Sequence, residues 1–304
     1  FEVHQPYRLR KYNVFDAQYE NHHHYFNDHD NREIMKRVAA KCYLPANKLI
    51  LKLIKKYQGH FKVAYSISGT AIEQFMKYCP EVLASFRALA LTGCVEFLGE
   101  TYYHSLAGLF SPQEFEAQVN KHGELMLELF DHRPTTFRNT ELTYDNRIAE
   151  LVANMGFEGI LTEGTEKVLQ WRSPNFVYQS PGQEKNLKLL LRNYKLSDDL
   201  AYRFSNKNWD GYPLDANKYA SWLSQLNGQA EVINLFMDYE TFGEHQWAET
   251  GIFEFLEYLP EAVLKDYGNN FMTPQEVLKC SSAQDVLDVQ ETISWADQER
   301  DLSA

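Results

Sequence analysis

An α/β fold, a seven-stranded (β/α)7 barrel-like parallel sheet with a partial C-terminal helical region, is what this sequence predicts. Short β-rich runs alternate with longer helical stretches, which is the pattern of βα units around a parallel sheet. A chain of 304 residues with 44% hydrophobic content can bury one large core. Polar residues, many of them acidic, recur where the β runs stop, and barrel enzymes gather their sites at those positions.

The first β run is Phe1 to His4, and Pro6 has no N–H for a ladder, so the chain turns there. The others are Phe61 to Ile67, Val95 to Leu98, Thr135 to Asn139, Gly159 to Thr162, Leu187 to Leu191 and Val232 to Met237. Between them Leu49, Ile50, Leu53, Ile54 and Tyr57 make a helical stripe. Ser111-Pro112-Gln113-Glu114 combines an N-cap, a first-turn proline and a capping-box glutamate. Ile148, Leu151, Val152 and Met155 form a further stripe that Gly156 closes. Two segments interrupt the beat, Tyr19 to Asn31 and Trp171 to Asn186, and both read as loops over a pocket. The barrel is expected over residues 1–250. After it come a stripe of Phe253, Leu256 and Leu259 before Pro260, and a helix start at Thr273-Pro274-Gln275-Glu276, in a helical region over 251–304 that the chain does not complete.

A formal charge of -12 repels nucleic acid and anionic lipid, which leaves neutral or cationic substrates as the expected partners. Cys42, Cys79, Cys94 and Cys280 are irregularly spaced, with no Cys-x-x-Cys pair, so reduced thiols and a cytoplasmic setting are expected. No apolar run approaches the ~18 residues of a membrane span, and no signal peptide is evident.

Two segments carry the chemistry. Glu141 lies in Phe137 to Asn146 (FRNTELTYDN), and Asp238 lies in Met237 to Trp247 (MDYETFGEHQW). Each carboxylate follows an apolar approach and has groups beside it suited to orient it: Arg138, Asn139 and Tyr144 for Glu141, Tyr239 and Glu240 for Asp238. Two carboxylates from different strands can share one glycosidic bond, one protonating the leaving oxygen while the other attacks, or activates water against, the anomeric carbon. If the last strand continues through Asp238-Tyr239-Glu240, both acids face one side and one pKa rises. His4 belongs at the pocket mouth as a hydrogen-bonding group. Glu100, Glu163 and Arg192 read as ordinary strand-end polar residues. The His22-His23-His24 run up to Asp30 raises a zinc reading, but three adjacent histidines cannot readily face one ion, so no metal and no cofactor are expected. Tyr102, Tyr103, Tyr144, Tyr239, Phe242 and Trp247 mix aromatic faces with the acids, a lining that suits a neutral saccharide. For Phe242 core packing is the better reading.

These segments resemble glycoside hydrolase family 57, the α-amylase-like family with a seven-stranded barrel and retaining action on α-glucans. His4-Gln5-Pro6 is similar to its first motif, Gly93 to Gly99 to its second, FRNTELTYDN to its third and MDYETFGEHQW to its fourth, while Trp295 to Leu302 resembles the opening of a fifth. The resemblance implies that Glu141 is the nucleophile and Asp238 the general acid/base, with His4, Glu96, Glu240, His245 and Trp247 binding sugar. It implies an α-1,4-glucan or maltooligosaccharide as substrate, with the two carboxyl groups ~5 to 5.5 Å apart. Glucanotransferases and branching enzymes share the catalytic pair, and a non-catalytic glucan-binding protein and a metal-dependent deacetylase-type barrel are further alternatives. The chain departs from some members by carrying Arg138 where they have Trp.

Overall fold

A computed structural model describes residues 1–11, 15, 25–182 and 187–297. In chain order the elements are β1 (Glu2–Val3), α1 (Asp28–Val38), α2 (Leu44–Tyr57), β2 (Val63–Ile67), α3 (Gly69–Tyr78), α4 (Pro80–Ala90) and β3 (Val95–Phe97). Next come α5 (Ala107–Phe110), α6 (Pro112–Phe130), β4 (Thr136–Arg138), α7 (Asn146–Asn154), β5 (Gly159–Glu163), α8 (Glu166–Leu169), β6 (Val177–Gln179) and β7 (Lys188–Arg192). The chain ends with α9 (Tyr194–Ala201), α10 (Ala216–Ser224), α11 (Ile252–Leu264) and α12 (Pro274–Cys280).

The ladders form two sheets, β1-β2-β3 and β4-β5-β7-β6, rather than one seven-stranded sheet. All pairings are parallel except β6 against β7. Single bridges lie between the sheets: Gly99 pairs with Phe137 beyond β3, Arg192 pairs with Asn234 beyond β7, and Glu2 pairs with Asp238. The expected strand Val232 to Met237 is therefore no strand, although its backbone lies between β7 and β1. Backbone bonds reach it only at intervals, from Glu2 to the Met237 carbonyl at 3.0 Å and from Asn193 to the Asn234 carbonyl at 2.9 Å, and side chains take groups between them. The Phe236 N–H donates to Ser197 Oγ at 3.2 Å, Arg192 Nε donates to the Phe236 carbonyl at 2.7 Å, and Asn234 Nδ2 donates to the Leu191 carbonyl at 3.0 Å.

The unforeseen strand β6 sits in the Pro/Gly-containing segment read as a loop. Three residues are too few to show a period, and only the partner strand β7 makes them a strand. Part of the other expected loop is also ordered differently: Asp28 to Asn31 open α1, where the Asn27 side chain accepts from the Asp30 N–H at 3.1 Å and Asp28 and Asp30 lie in the first turn. Residues 19–24, including His22, His23 and His24, lie outside the described residues.

Helix starts follow their local chemistry. The Ser111 side chain caps α6, but the Glu114 carboxylate takes Gln118 Nε2 at 2.8 Å and not the reciprocal position of a capping box. Thr273 and Glu276 do form a full box on α12. A five-residue π segment, Ala39–Tyr43, joins α1 to α2, and such bulges often accompany function.

The largest core cluster packs Ile50, Leu53, Phe75, Phe86 and Phe97 with Phe255 and Leu259 of α11, and a second packs Phe115, Ile148, Val152, Ile160 and Leu189. Each such side chain contributes roughly 1.5–3 kcal/mol. Phe242 is buried in the first cluster, as is Cys42, whose thiol, like those of Cys79, Cys94 and Cys280, is free. The region beyond 251 is only partly helical: after α12 it runs beside β6 to the segment between β4 and α7, where the Tyr144 N–H donates to the Ile293 carbonyl at 2.9 Å and the return bond has the same length. Among the described residues no helix is long and apolar enough to cross a membrane.

Candidate active site

Glu141 sits in a strained turn that follows β4. Its φ is 55° and that of Leu142 is 51°, a left-handed conformation that costs non-glycine residues about 1–3 kcal/mol each. Three features hold the turn in place. Leu142 is fully buried, Asn139 Nδ2 donates to Thr143 Oγ1 at 2.8 Å and to its carbonyl at 3.0 Å, and Thr143 Oγ1 donates to the Thr140 carbonyl at 2.8 Å. The result is a side chain 43% exposed that rises from a buried floor.

Both Glu141 oxygens are engaged. Trp295 Nε1 donates to Oε2 at 2.6 Å, and His104 Nε2 lies 3.3 Å from Oε1. The His104 contact, burial working the other way, the Trp295 bond and the Arg138 charge together lower the Glu141 pKa to about 2, so the group is an anion over the whole working range.

Below it lies a buried charge cluster. Arg138, with no exposed surface, donates from Nη2 to Glu2 Oε2 and faces Glu100 Oε2 at 4.0 Å. The Phe236 and Trp295 rings flank its guanidinium, each 5.4 Å away, so where some relatives of the motif carry Trp this chain has a cation under aromatic cover. His104 Nε2 lies 3.5 Å from Glu2 Oε1, and its Nδ1 lies 3.7 Å from Glu100 Oε2. Burial would lower the His104 pKa, but Glu100 and Glu141 outweigh it and raise it to about 9. His4 stacks on His104 with ring centroids 3.9 Å apart and accepts from or donates to Ser68 Oγ at 2.8 Å. Burial first, and then the charge of His104, lower its pKa to about 3, so His4 is neutral.

Asp238 is half-buried beside this cluster, its backbone bridged to Glu2 and two residues before Glu240. Glu2 therefore links the two halves, touching His104 on the Glu141 side and pairing with Asp238 on the other. Burial, opposed by Arg138 and supported by Asp238, raises the Glu2 pKa to about 7. The strand does not continue through Glu240, as the shared-face argument required, because Tyr239–Thr241 turns into a 3-10 helix. Glu240 is instead 5% exposed, accepts from Gln5 Nε2 at 3.3 Å and from the Tyr43 hydroxyl, and is pushed by burial and then by Asp238 to a pKa of about 8.

The remaining predicted site residues have other neighbours. Glu96 is 4% exposed, and its Oε2 accepts from the Gln275 N–H at 2.7 Å at the start of α12. His245 and Trp247 are exposed, and Lys41 Nζ stands 5.7 Å over the Trp247 ring. From the β3 end it is Glu100, read from sequence as an ordinary strand-end residue, that reaches the cluster. Glu2 and His104 were not singled out at all. The usable signal was Glu2 at alternate spacing to His4 along β1, which puts both on one face. Among the described residues no group of three or more His, Cys, Asp or Glu is placed to hold a metal ion.

The family model described as Glycosyl hydrolase family 57 matches residues 1–290. A protein of Methanocaldococcus jannaschii named "Putative alpha-amylase" is 49% identical over 307 residues that cover 100% of this chain and 64% of that protein, so the chain spans under two thirds of the relative's length. A solved 4-alpha-glucanotransferase of Thermococcus litoralis superposes with a TM-score of 0.72 at 16% identity, over 86% of this chain and 40% of that one. A branching enzyme of Pyrococcus horikoshii does so at 0.68 and 14%, over 97% and 72%. At those identities the likeness is one of fold.

Proposed function

Because the chain belongs to glycosyl hydrolase family 57, we propose that it is the catalytic part of a retaining glycoside hydrolase acting on α-1,4-glucans, with Glu141 as nucleophile and Asp238 as general acid/base. The observation that carries this reading is Glu141 itself: a strained, outward-facing carboxylate, ionised well below neutral pH and braced from two sides. A group held so is suited to attack, because strain at a backbone position persists only where surrounding contacts impose it.

In the proposed reaction a Glu141 oxygen forms a bond to the anomeric carbon as the C–O bond to the leaving sugar breaks, and the Asp238 proton goes to the departing oxygen. Asp238, now ionised, then takes a proton from water, whose oxygen displaces Glu141. A second sugar hydroxyl in place of that water would give transfer, the activity named for the Thermococcus litoralis structure. Hydrolysis is favoured here by the name of the 49% identical relative. His4 and the exposed His245 and Trp247 are assigned to the sugar, while Glu96 and Glu240 are assigned to holding the frame around it. The bridges at Gly99, Arg192 and Glu2 support reading the two sheets as one barrel-like ring around residues 1–250, with the region from 251 returning Trp295 to its mouth.

Glu141→Gln keeps shape and removes the nucleophile, so kcat on maltooligosaccharide should fall at least ~10³-fold in a protein that still folds, though less stably for want of the ionised carboxylate. Turnover retained by a folded Glu141→Gln protein would overturn the assignment.

A further inference from the structure

We propose that His104 is the positioning residue of this site, a charged imidazole fixed by Glu2 and Glu100 that holds the Glu141 carboxylate in its attacking orientation. The proposal rests on the reading of Glu141 as nucleophile and names what keeps that nucleophile in place.

Geometry supplies the argument. His104 lies in the segment after β3 at φ 53°, a left-handed backbone that few residues other than glycine adopt and that turns its ring toward the carboxylates. Its Nε2 reaches two carboxylates at once, Glu141 Oε1 at 3.3 Å and Glu2 Oε1 at 3.5 Å, while Nδ1 faces a third, Glu100 Oε2 at 3.7 Å. A neutral imidazole has one N–H and one lone pair, and the lone pair would then face a carboxylate on one side of the ring or the other. Only the imidazolium presents a donor to both sides. The His4 ring covers one face at 3.9 Å and fixes the plane. Because His4 bonds to Ser68 Oγ and stays neutral, the stack carries one positive charge and not two.

The other titratable and charged groups around His104 are Arg138 from β4, which opposes its protonation, His122 of α6, which lies toward Glu100 and whose own pKa burial lowers, and Asp238, which faces Glu2. The three carboxylates prevail over Arg138 and burial, and the imidazole stays charged up to about pH 9. Glu141 gains in return, since the adjacent cation is the largest cause of its low pKa.

The test uses the full protein and a fluorinated glucosyl fluoride that traps the covalent intermediate, with the trapped residue located by peptide mass spectrometry and the trapping rate followed against pH. In wild type the rate should hold down to about pH 3. In His104→Gln its acid limb should move up toward the ordinary glutamate value, cutting the rate about tenfold at pH 3.5 relative to wild type. His104→Arg, which keeps the charge, should bring the limb back down. An acid limb unmoved in His104→Gln, with label still on Glu141, overturns the role of His104 alone. Label found on another residue overturns the reading of Glu141 instead. If neither variant folds, the wild-type imidazole is followed by nitrogen-15 NMR. Titration of His104 above pH 8 supports the proposal, and titration at or below the ordinary histidine value overturns it.

Discussion

Glu240 shows how burial holds a proton on a single carboxyl two residues from Asp238. Buried against Tyr43, Gln5 and the charge of Asp238, it holds its proton up to about pH 8, whereas in the unfolded chain it ionises near the ordinary glutamate value. Between those two pH values the folded state binds the extra proton, so stability falls as pH rises from about 4.5 to about 8. Glu2 adds a change of the same sign, up to about pH 7. Glu141 works the opposite way: its low pKa stabilises the fold above the ordinary glutamate value and is lost as pH falls through about 2. Glu240→Gln should therefore be more stable than wild type at pH 8 and closer to it at pH 5, as read by urea unfolding at the two pH values. Equal differences at both would show that the carboxyl does not titrate in this window.

At the scale of an element, α12 illustrates how one helix start ties the C-terminal region to the sheets. Its capping box satisfies two backbone N–H groups through Thr273 and Glu276, and Glu96 from β3 accepts a third, that of Gln275, at 2.7 Å. The box was visible in sequence because its parts lie within four residues. Glu96 as the third partner was not, since 179 residues separate it from Gln275. Thr273→Ala should cost about 0.5–2 kcal/mol of stability, measured by denaturant titration, with kcat unchanged. A loss of activity out of proportion to stability would mean that α12 also orders the site.

Across the whole molecule, the segment after α12 is a strap that passes β6, reaches the turn between β4 and α7 and delivers Trp295. Ile293, 2% exposed, pins it by its backbone pair with Tyr144 and by burial in the second core cluster, and the Thr292 hydroxyl donates to Asp145 Oδ2 at 2.7 Å. Trp295 then spans three jobs: it donates to Glu141, covers Arg138 at 5.4 Å, and lies 5.8 Å from the Arg192 guanidinium. Ile293→Ala removes buried contacts worth roughly 2–5 kcal/mol. It should raise amide exchange over residues 285–297 before the sheets open, and should lower kcat/KM through the loosened Trp295. Exchange rising uniformly over the chain would show that the strap is no separate unit.

What the sequence determined by itself was local or pattern-borne: the alternation of β and helical runs, the starts of α6 and α12, the burial of Phe242, and two carboxylate segments that stand out because their neighbours are close in the chain. What only the tertiary structure decided was the company those carboxylates keep. Glu2, Glu100 with His104, Arg138 and Trp295 come from four separate segments, and no local signature shows that these segments meet. The same is true of the pKa shifts, which depend on desolvation and on charges brought near by folding. The missing strand at Val232 to Met237 has that origin too: its apolar pattern is strand-like and some of its carbonyls accept backbone N–H groups, but Ser197, Arg192 and Asn234 side chains interrupt the ladder. Pattern reports which faces avoid water, whereas hydrogen-bond partners are settled by whichever groups the completed fold brings within reach.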